Sequence, residues 1–267
     1  MPSSRLAPGP GAVTRVLILG GTGEARALAV ALAGRGLDVV TSLAGATAEP
    51  LLPPGGIRRG GFGGTEGLMD YLAEADIGII ADATHPFAAV ISRHAAEAAA
   101  ARAIPCLRLE RPAWKSGPGD RWQEVADTAA AVAALPPGAT VLLTIGRKEL
   151  AAFARRGDIR VIARAIEPPR FQLPGSWKLV LARPPFTVEA EVVLMRDERV
   201  SVLVTKNAGG DATRGKLDAA RALGLPVIMV ARPAKPVAET AATVEEMVER
   251  IAGSGHIARP RESGDPE

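Results

Sequence analysis

Residues 15–26 read R-V-L-I-L-G-G-T-G-E-A-R, and this stretch narrows the possible folds more than any other. A short apolar run (Val16, Leu17, Ile18, Leu19) breaks into Gly20-Gly21-Thr22-Gly23, and an Ala/Leu-rich helical pattern follows at once. Strand, glycine turn and helix in this order aim a helix N-terminus and backbone N–H groups at a phosphate. A Cβ would block the approach of an anion to such a backbone, which is why glycine is needed there. The spacing approximates a Rossmann fingerprint: Gly21 and Gly23 supply two positions of G-x-G-x-x-G, and Arg26 stands at the third. A nucleotide site and a tight βα turn of any α/β domain are both open from this turn alone.

The rest of the chain repeats the alternation. Leu37 to Thr41, Ile57 onward, Ile77 to Ala81 and Ile104 to Leu109 read as further strands, with helices over 24–34, 66–75 and up to Arg102. Strands alternating with helices predict a parallel sheet covered on both faces. Arg111-Pro112 and the Ser116-Gly117-Pro118-Gly119 cluster mark a boundary. Beyond it the pattern restarts, with strands at 122–125, 140–144, 159–163, 179–182, 200–204 and 226–231 and a last helix at 243–252. Arg164 to Trp177 reads as a Pro-rich connection. The expected fold is α/β: two Rossmann-like domains, each a mostly parallel sheet flanked by helices, with a cleft between them. The expected division is a disordered tail at 1–13, a first domain at 14–112, a second at 113–253 and a disordered tail at 254–267.

Charge and composition narrow the function. With 267 residues and 47% hydrophobic side chains the chain can fill two cores, and with 3% aromatics those cores must be aliphatic. A net charge of +3 suits a small anionic ligand, while the lack of a basic block or aromatic ladder argues against nucleic acid. The lone Cys106 follows Ile104-Pro105 in an apolar run and reads as a buried strand thiol rather than a nucleophile. His85, His94, His256 and Cys106 lack metal-ligand spacing, so no metal is expected. No apolar run reaches a membrane span of roughly 18 residues, and residues 1–13 lack the apolar core of a signal peptide. A cytoplasmic monomer without membrane contact, at most weakly self-associating, is the expectation.

Five loops carry candidate chemistry. The end of the second strand, Thr41-Ser42-Leu43-Ala44-Gly45, holds no carboxylate. NAD-specific domains place an acidic residue there for the ribose 2′-OH, so a dinucleotide at this site leans to NADP(H); a plain strand-end turn is the alternative. Gly60-Gly61-Phe62-Gly63-Gly64, after Arg58-Arg59, suits backbone approaching a flat or phosphorylated ligand, or a flexible loop. Asp82-Ala83-Thr84-His85-Pro86-Phe87-Ala88 lies at the carboxyl end of a strand, where open α/β sheets bind ligands; a capping role, with Thr84 as N-cap and Pro86 in the first turn, is equally open. In the second half, Gly146-Arg147-Lys148 and Thr205-Lys206-Asn207-Ala208-Gly209-Gly210 place cations and glycine amides at strand ends, fit for carboxylates or for solvent.

Taken together, and in order over residues 16–250, these motifs resemble the precorrin-6A reductases of cobalamin biosynthesis, with the cobalt-precorrin-6A reductases of the anaerobic route. The residues that carry the likeness are Ile18 to Ala25, Gly60 to Gly64, Asp82 to Ala88, Glu110-Arg111-Pro112-Ala113-Trp114, Gly146 to Lys148 and Thr205 to Gly210. The chain departs from the family pattern at Ala46, where an Arg is frequent, and at Ala208, where a Ser is frequent. The resemblance implies an oxidoreductase of the CH–CH group, reducing precorrin-6A to precorrin-6B with NADPH. Its partner would be an anionic tetrapyrrole held in the interdomain cleft. It further implies that Gly20, Gly21, Thr22, Gly23 and Glu24 cradle the pyrophosphate and that Ser42, Leu43, Ala44 and Gly45 hold the adenosine ribose. Gly61, Phe62, Gly63 and Gly64 would approach the nicotinamide half. Asp82, Thr84, His85, Pro86, Phe87, Arg147, Lys148, Lys206, Asn207, Gly209 and Gly210 would face the macrocycle, with His85 a candidate proton donor. Against an alcohol dehydrogenase of the short-chain type stands the lone Tyr71, with Ala75 rather than Lys four residues on. The missing carboxylate after the second strand disfavours a methyltransferase. A non-catalytic NADP(H)-binding sensor or regulatory protein is the alternative from another class.

Overall fold

A computed structural model describes residues 15–44 and 52–253. In chain order the first elements are β1 (Arg15–Leu19), α1 (Gly23–Gly34), β2 (Val39–Leu43), β3 (Gly56–Arg59), α2 (Thr65–Glu74), β4 (Ile77–Asp82), α3 (Ala89–Arg102) and β5 (Cys106–Leu109). Next come β6 (Arg121–Val125), α4 (Thr128–Ala133), β7 (Thr140–Thr144), a 3₁₀ turn at Leu150–Phe153, β8 (Arg160–Ala165) and β9 (Lys178–Leu181). The chain closes with α5 (Val188–Asp197), β10 (Val202–Lys206), α6 (Gly215–Ala222), β11 (Pro226–Val230), β12 (Glu239–Ala241) and α7 (Val244–Gly253).

Two all-parallel six-stranded sheets result. The first runs β3-β2-β1-β4-β5-β12, the 3-2-1-4-5-6 order of a dinucleotide-binding sheet. Its central strand is apolar on both faces, as a doubly covered parallel strand must be. Val16 and Ile18 pack against Leu28 and Leu32 of α1 and Met247, Val248 and Ile251 of α7. Leu17 and Leu19 meet Leu68 and Leu72 of α2 and the small face Ala95, Ala98 and Ala99 of α3. The second sheet runs β9-β8-β7-β10-β11-β6, the same order with its outermost position taken by the first strand of the unit instead of the last. Leu142, Ile162, Leu203, Val227 and Met229 build its core with Met195 and Leu217.

Several expected boundaries move. The chain divides after Arg111 and again after Pro233, so residues 234–253 return to the first unit instead of ending the second. The cause is non-local. The short strand β12, which the sequence pattern does not announce, pairs with β5, and α7 supplies an apolar face that α1 lacks a partner for without it. Arg164 lies inside β8 and is buried, so the Pro-rich connection begins later than expected. Helix α3 starts at Ala89, and a turn closed by Ala88 N–H on His85 O precedes it. Thr84 and Pro86 therefore belong to a loop and cap no helix. The tails expected at 1–13 and 254–267 lie outside the described residues.

Candidate active site

In each sheet the order reverses between two neighbouring strands, β1 and β4 in the first unit and β7 and β10 in the second. Ligands of open parallel sheets bind outside the carboxyl ends of the strands at such a point. Register puts Leu19 beside Asp82, so the glycine turn and the Ala83–Phe87 loop leave the first sheet side by side. Thr144 pairs with Thr205, and Gly146–Lys148 and Lys206–Gly210 leave the second sheet in the same way.

In the first unit Thr22 joins the two turns. Its Oγ1 donates to Ala83 O at 2.8 Å and accepts from Ala25 N–H at 3.0 Å, capping α1. Gly21 has φ +110° and no heavy atom within 4 Å of where a Cβ would stand, as at Gly23, so the turn is open above its backbone. The leading N–H groups of a helix have no intrahelical partner, and of those of α1 the Ala25 N–H is taken by Thr22 Oγ1. Glu24 is paired with Arg111. A small pocket lies here, lined by Thr22, Glu24, Ala83, Thr84, Pro86, Leu109 and Arg111. It brings expected cofactor and substrate residues together. It adds Leu109 and Arg111 at the end of β5, neither of which is among the expected site residues.

Asp82 does not face this pocket. It is 1% exposed; Oδ1 accepts from Thr84 N–H at 3.2 Å and Thr84 Oγ1–H at 2.6 Å, and Oδ2 accepts from Arg108 Nε at 3.3 Å. It frames the loop rather than meeting a ligand. Burial, with Asp82 nearby, pushes the Cys106 thiol up to about 11, so it holds no thiolate near neutrality and is no nucleophile. His85 is half-buried, and its Nδ1 accepts from Phe87 N–H at 3.2 Å. That bond assigns the hydrogen of a neutral imidazole to Nε2, leaving the outer nitrogen as a donor.

The ends of β2 and β3 lie on the far side of β1 from β4. Ser42 is buried and its carbonyl accepts from Gly20 N–H at 2.9 Å, while Ala44 is exposed; Gly45 falls outside the described residues. Gly61 to Gly64 follow β3. Arg58 braces them, donating to Gly60 O and Gly61 O at 2.8 and 2.9 Å with its guanidinium 3.8 Å from the centre of the Phe62 ring. Sheet order puts the end of β3 beside the Ser42–Ala44 end of β2, and from there the Gly61–Gly64 loop leads into α2, which packs with α3.

In the second unit the expected cations are partly engaged. Arg147 Nη1 lies 3.1 Å from Glu167 Oε2, Lys206 Nζ lies 2.6 Å from Glu149 Oε1, and Lys148 is exposed. Asn207 is spent on the scaffold: Oδ1 accepts from Trp114 N–H at 2.8 Å and Nδ2 donates to Trp114 O at 3.0 Å. Trp114 Nε1 donates to Gly210 O at 3.0 Å, and Arg232 donates to Asn207 O and Ala208 O. The Lys206–Gly210 turn is thus clamped from both flanks. Among the described residues no group of three or more His, Cys, Asp or Glu side chains could hold a metal ion, and no helix is long and apolar enough to cross a membrane.

The sequence profile described as precorrin-6x reductase CbiJ/CobK matches residues 15–252. A precorrin-6A reductase of Rhodococcus erythropolis is 50% identical over 249 residues, covering 92% of this chain and 100% of the relative. A cobalt-precorrin-6A reductase of Priestia megaterium is 35% identical, covering 88% and 97%. The solved structure of a CobK precorrin-6A reductase superposes with a TM-score of 0.87 at 44% identity, covering 92% of this chain and 99% of that one.

Proposed function

The chain belongs to the precorrin-6x reductase family and is an oxidoreductase of the CH–CH group, reducing precorrin-6A in cobalamin biosynthesis; from that premise we propose that it draws on NADPH bound across the ends of β1 and β2. Family membership sets aside the non-catalytic sensor. The observation that carries the nucleotide reading is the open Gly20–Gly23 turn leading into a capped α1 at the switch point of a 3-2-1-4-5-6 sheet. The residues fit the cofactor. Gly21 and Gly23 leave room for a pyrophosphate, Glu24 is neutralised by Arg111, and no carboxylate stands at the described end of β2 to repel a 2′-phosphate.

When bound, the nicotinamide supplies the hydride. The chain's own residues then have five tasks. Gly20–Gly23, Thr22 among them, would hold the phosphates. The Asp82–Thr84 bonds hold that loop in place. The framework gains one hydride and one proton overall; His85 would supply that proton as the imidazolium, its Nδ1 then giving up the bond it accepts from Phe87 N–H. Ser42–Ala44 and Gly61–Gly64 flank the adenosine half. Lys148, with Arg147, Lys206 and the Gly209–Gly210 amides, offers positive potential to the carboxylates of the tetrapyrrole. We read the protein as a cytoplasmic monomer.

The test is anaerobic NADPH oxidation by purified protein with precorrin-6A, NADH and the cobalt-containing substrate being run beside it. Turnover specific to NADPH is expected. Binding of neither nucleotide sinks the assignment of Gly20–Gly23. His85→Gln is expected to lower kcat on the order of 100-fold with an unchanged Kd for NADPH, and to remove the limb of the pH–rate profile that reports the donor. Near-normal turnover with the wild-type profile removes His85 from the reaction.

A further inference from the structure

The end of the second strand poses a charge problem. A 2′-phosphate carries about −1.5 to −2 charge near neutrality, yet Thr41, Ser42, Leu43 and Ala44 offer it no cation. The neighbouring strand supplies one. Partners across a parallel ladder share a face. Val16 pairs with Val39 and Ile18 with Thr41, and Thr41 pairs with Ile57 and Leu43 with Arg59. Val16, Ile18 and Val39 face α1, so Arg59 faces that side too. A Cβ on Gly20 would meet Thr41 Cγ2 at 2.9 Å and Leu43 Cδ2 at 3.3 Å, which sets the same face at the mouth of the glycine turn.

Gly20, Leu43 and Arg59 therefore form a row across the carboxyl ends of β1, β2 and β3. Arg59 lies two strand spacings, roughly 10 Å, from the glycine turn. Gly60 N–H on Leu43 O at 2.9 Å fastens the end of β3 to β2. The adjacent arginine is not equivalent. Arg58 faces the opposite side, tied to Gly60 O and Gly61 O and stacked on Phe62 and Tyr71. Arg59 is exposed, and among the described residues no carboxylate pairs with it.

We infer that Arg59 is the side chain that binds the 2′-phosphate and sets the preference for NADPH over NADH. The inference rests on the proposed nucleotide site. Its guanidinium gives a planar, permanently charged fork suited to a phosphomonoester.

Nucleotide-fluorescence titration of the wild type and Arg59→Ala with NADPH and with NADH tests it, with adenosine 2′,5′-bisphosphate and adenosine 5′-monophosphate as competitors. Arg59→Ala should weaken NADPH and the bisphosphate about 10- to 100-fold and leave NADH and the monophosphate within about twofold. Arg59→Lys should keep part of the preference, and the same titrations on it decide the matter if the alanine variant fails to fold. A wild type that binds the two dinucleotides alike overturns the NADPH reading itself. A wild type that prefers NADPH, with variants that keep the full preference, overturns the role of Arg59 alone. Equal weakening of both dinucleotides also overturns it, since the 2′-phosphate is then not what Arg59 contacts.

Discussion

Replacing Asp82 by Ala is expected to lower stability by about 3–5 kcal/mol, the cost of leaving one member of a buried ion pair without the other. Asp82 and Arg108 have side chains 1% and 5% exposed. Arg108 already has one buried nitrogen, Nη2, without a partner, and its Nη1 is 3.9 Å from Glu110 and donates to Pro236 O at 2.9 Å. Without Asp82 the guanidinium loses its nearest counter-charge. The Thr84 loop loses two hydrogen bonds, and the segment that leads back to β12 loses a fixed anchor. For a chain of this size the melting point should fall on the order of 10 °C. Calorimetry of Asp82→Ala, Arg108→Met and the double variant checks this. The double variant should be less impaired than the sum of the singles, because no charge is then left buried. If instead Asp82→Ala melts like wild type and only KM for the tetrapyrrole rises, Asp82 is a substrate contact after all.

The second large effect belongs to the other unit. A Cβ on Gly209 would stand 2.2 Å from Pro112 O and 2.6 Å from Arg232 Nη2, with φ at +70°. The arginine can shift, but the backbone carbonyl at the start of the unit cannot do so without moving Trp114, which is locked to Asn207 and Gly210. Gly209→Ala should therefore cost about 3 kcal/mol or more, combining left-handed backbone strain with overpacking. Gly36→Ala is the control: its φ is +78° with nothing within 4 Å, so only the strain, about 1 kcal/mol, should appear in urea denaturation. Equal losses for the two variants would mean that the clamp relaxes freely and that Gly209 is not held by its surroundings.

What the sequence discloses and what it withholds follow from how far each feature reaches along the chain. The β1–turn–α1 unit is legible because all of its determinants lie in one unbroken run, the five-residue strand and the 12-residue helix that follows its turn. The parallel sheets are legible because buried strands read as apolar runs. Strand β12 is not: Glu239 and Thr240 are exposed, and the strand exists through its ladder to Leu107–Leu109, far back in the chain. The same distance hides the inward turn of Asp82, whose partner becomes its neighbour through β4–β5 pairing. Asn207 looks like a ligand residue in a polar strand-end loop, and its amide is used on Trp114, 93 positions away.

The return of residues 234–253 to the first sheet also sets an order of events during synthesis. Everything the second unit needs, from Pro112 to Pro233, has left the ribosome before β12 and α7 appear. Until they do, the first unit presents β5 as an unpaired edge and α1 with an uncovered apolar flank. The usual vectorial sequence, in which the N-terminal body completes itself first, is inverted here. The interior of the chain finishes early, and the unit that holds the N-terminal strand is the last to close.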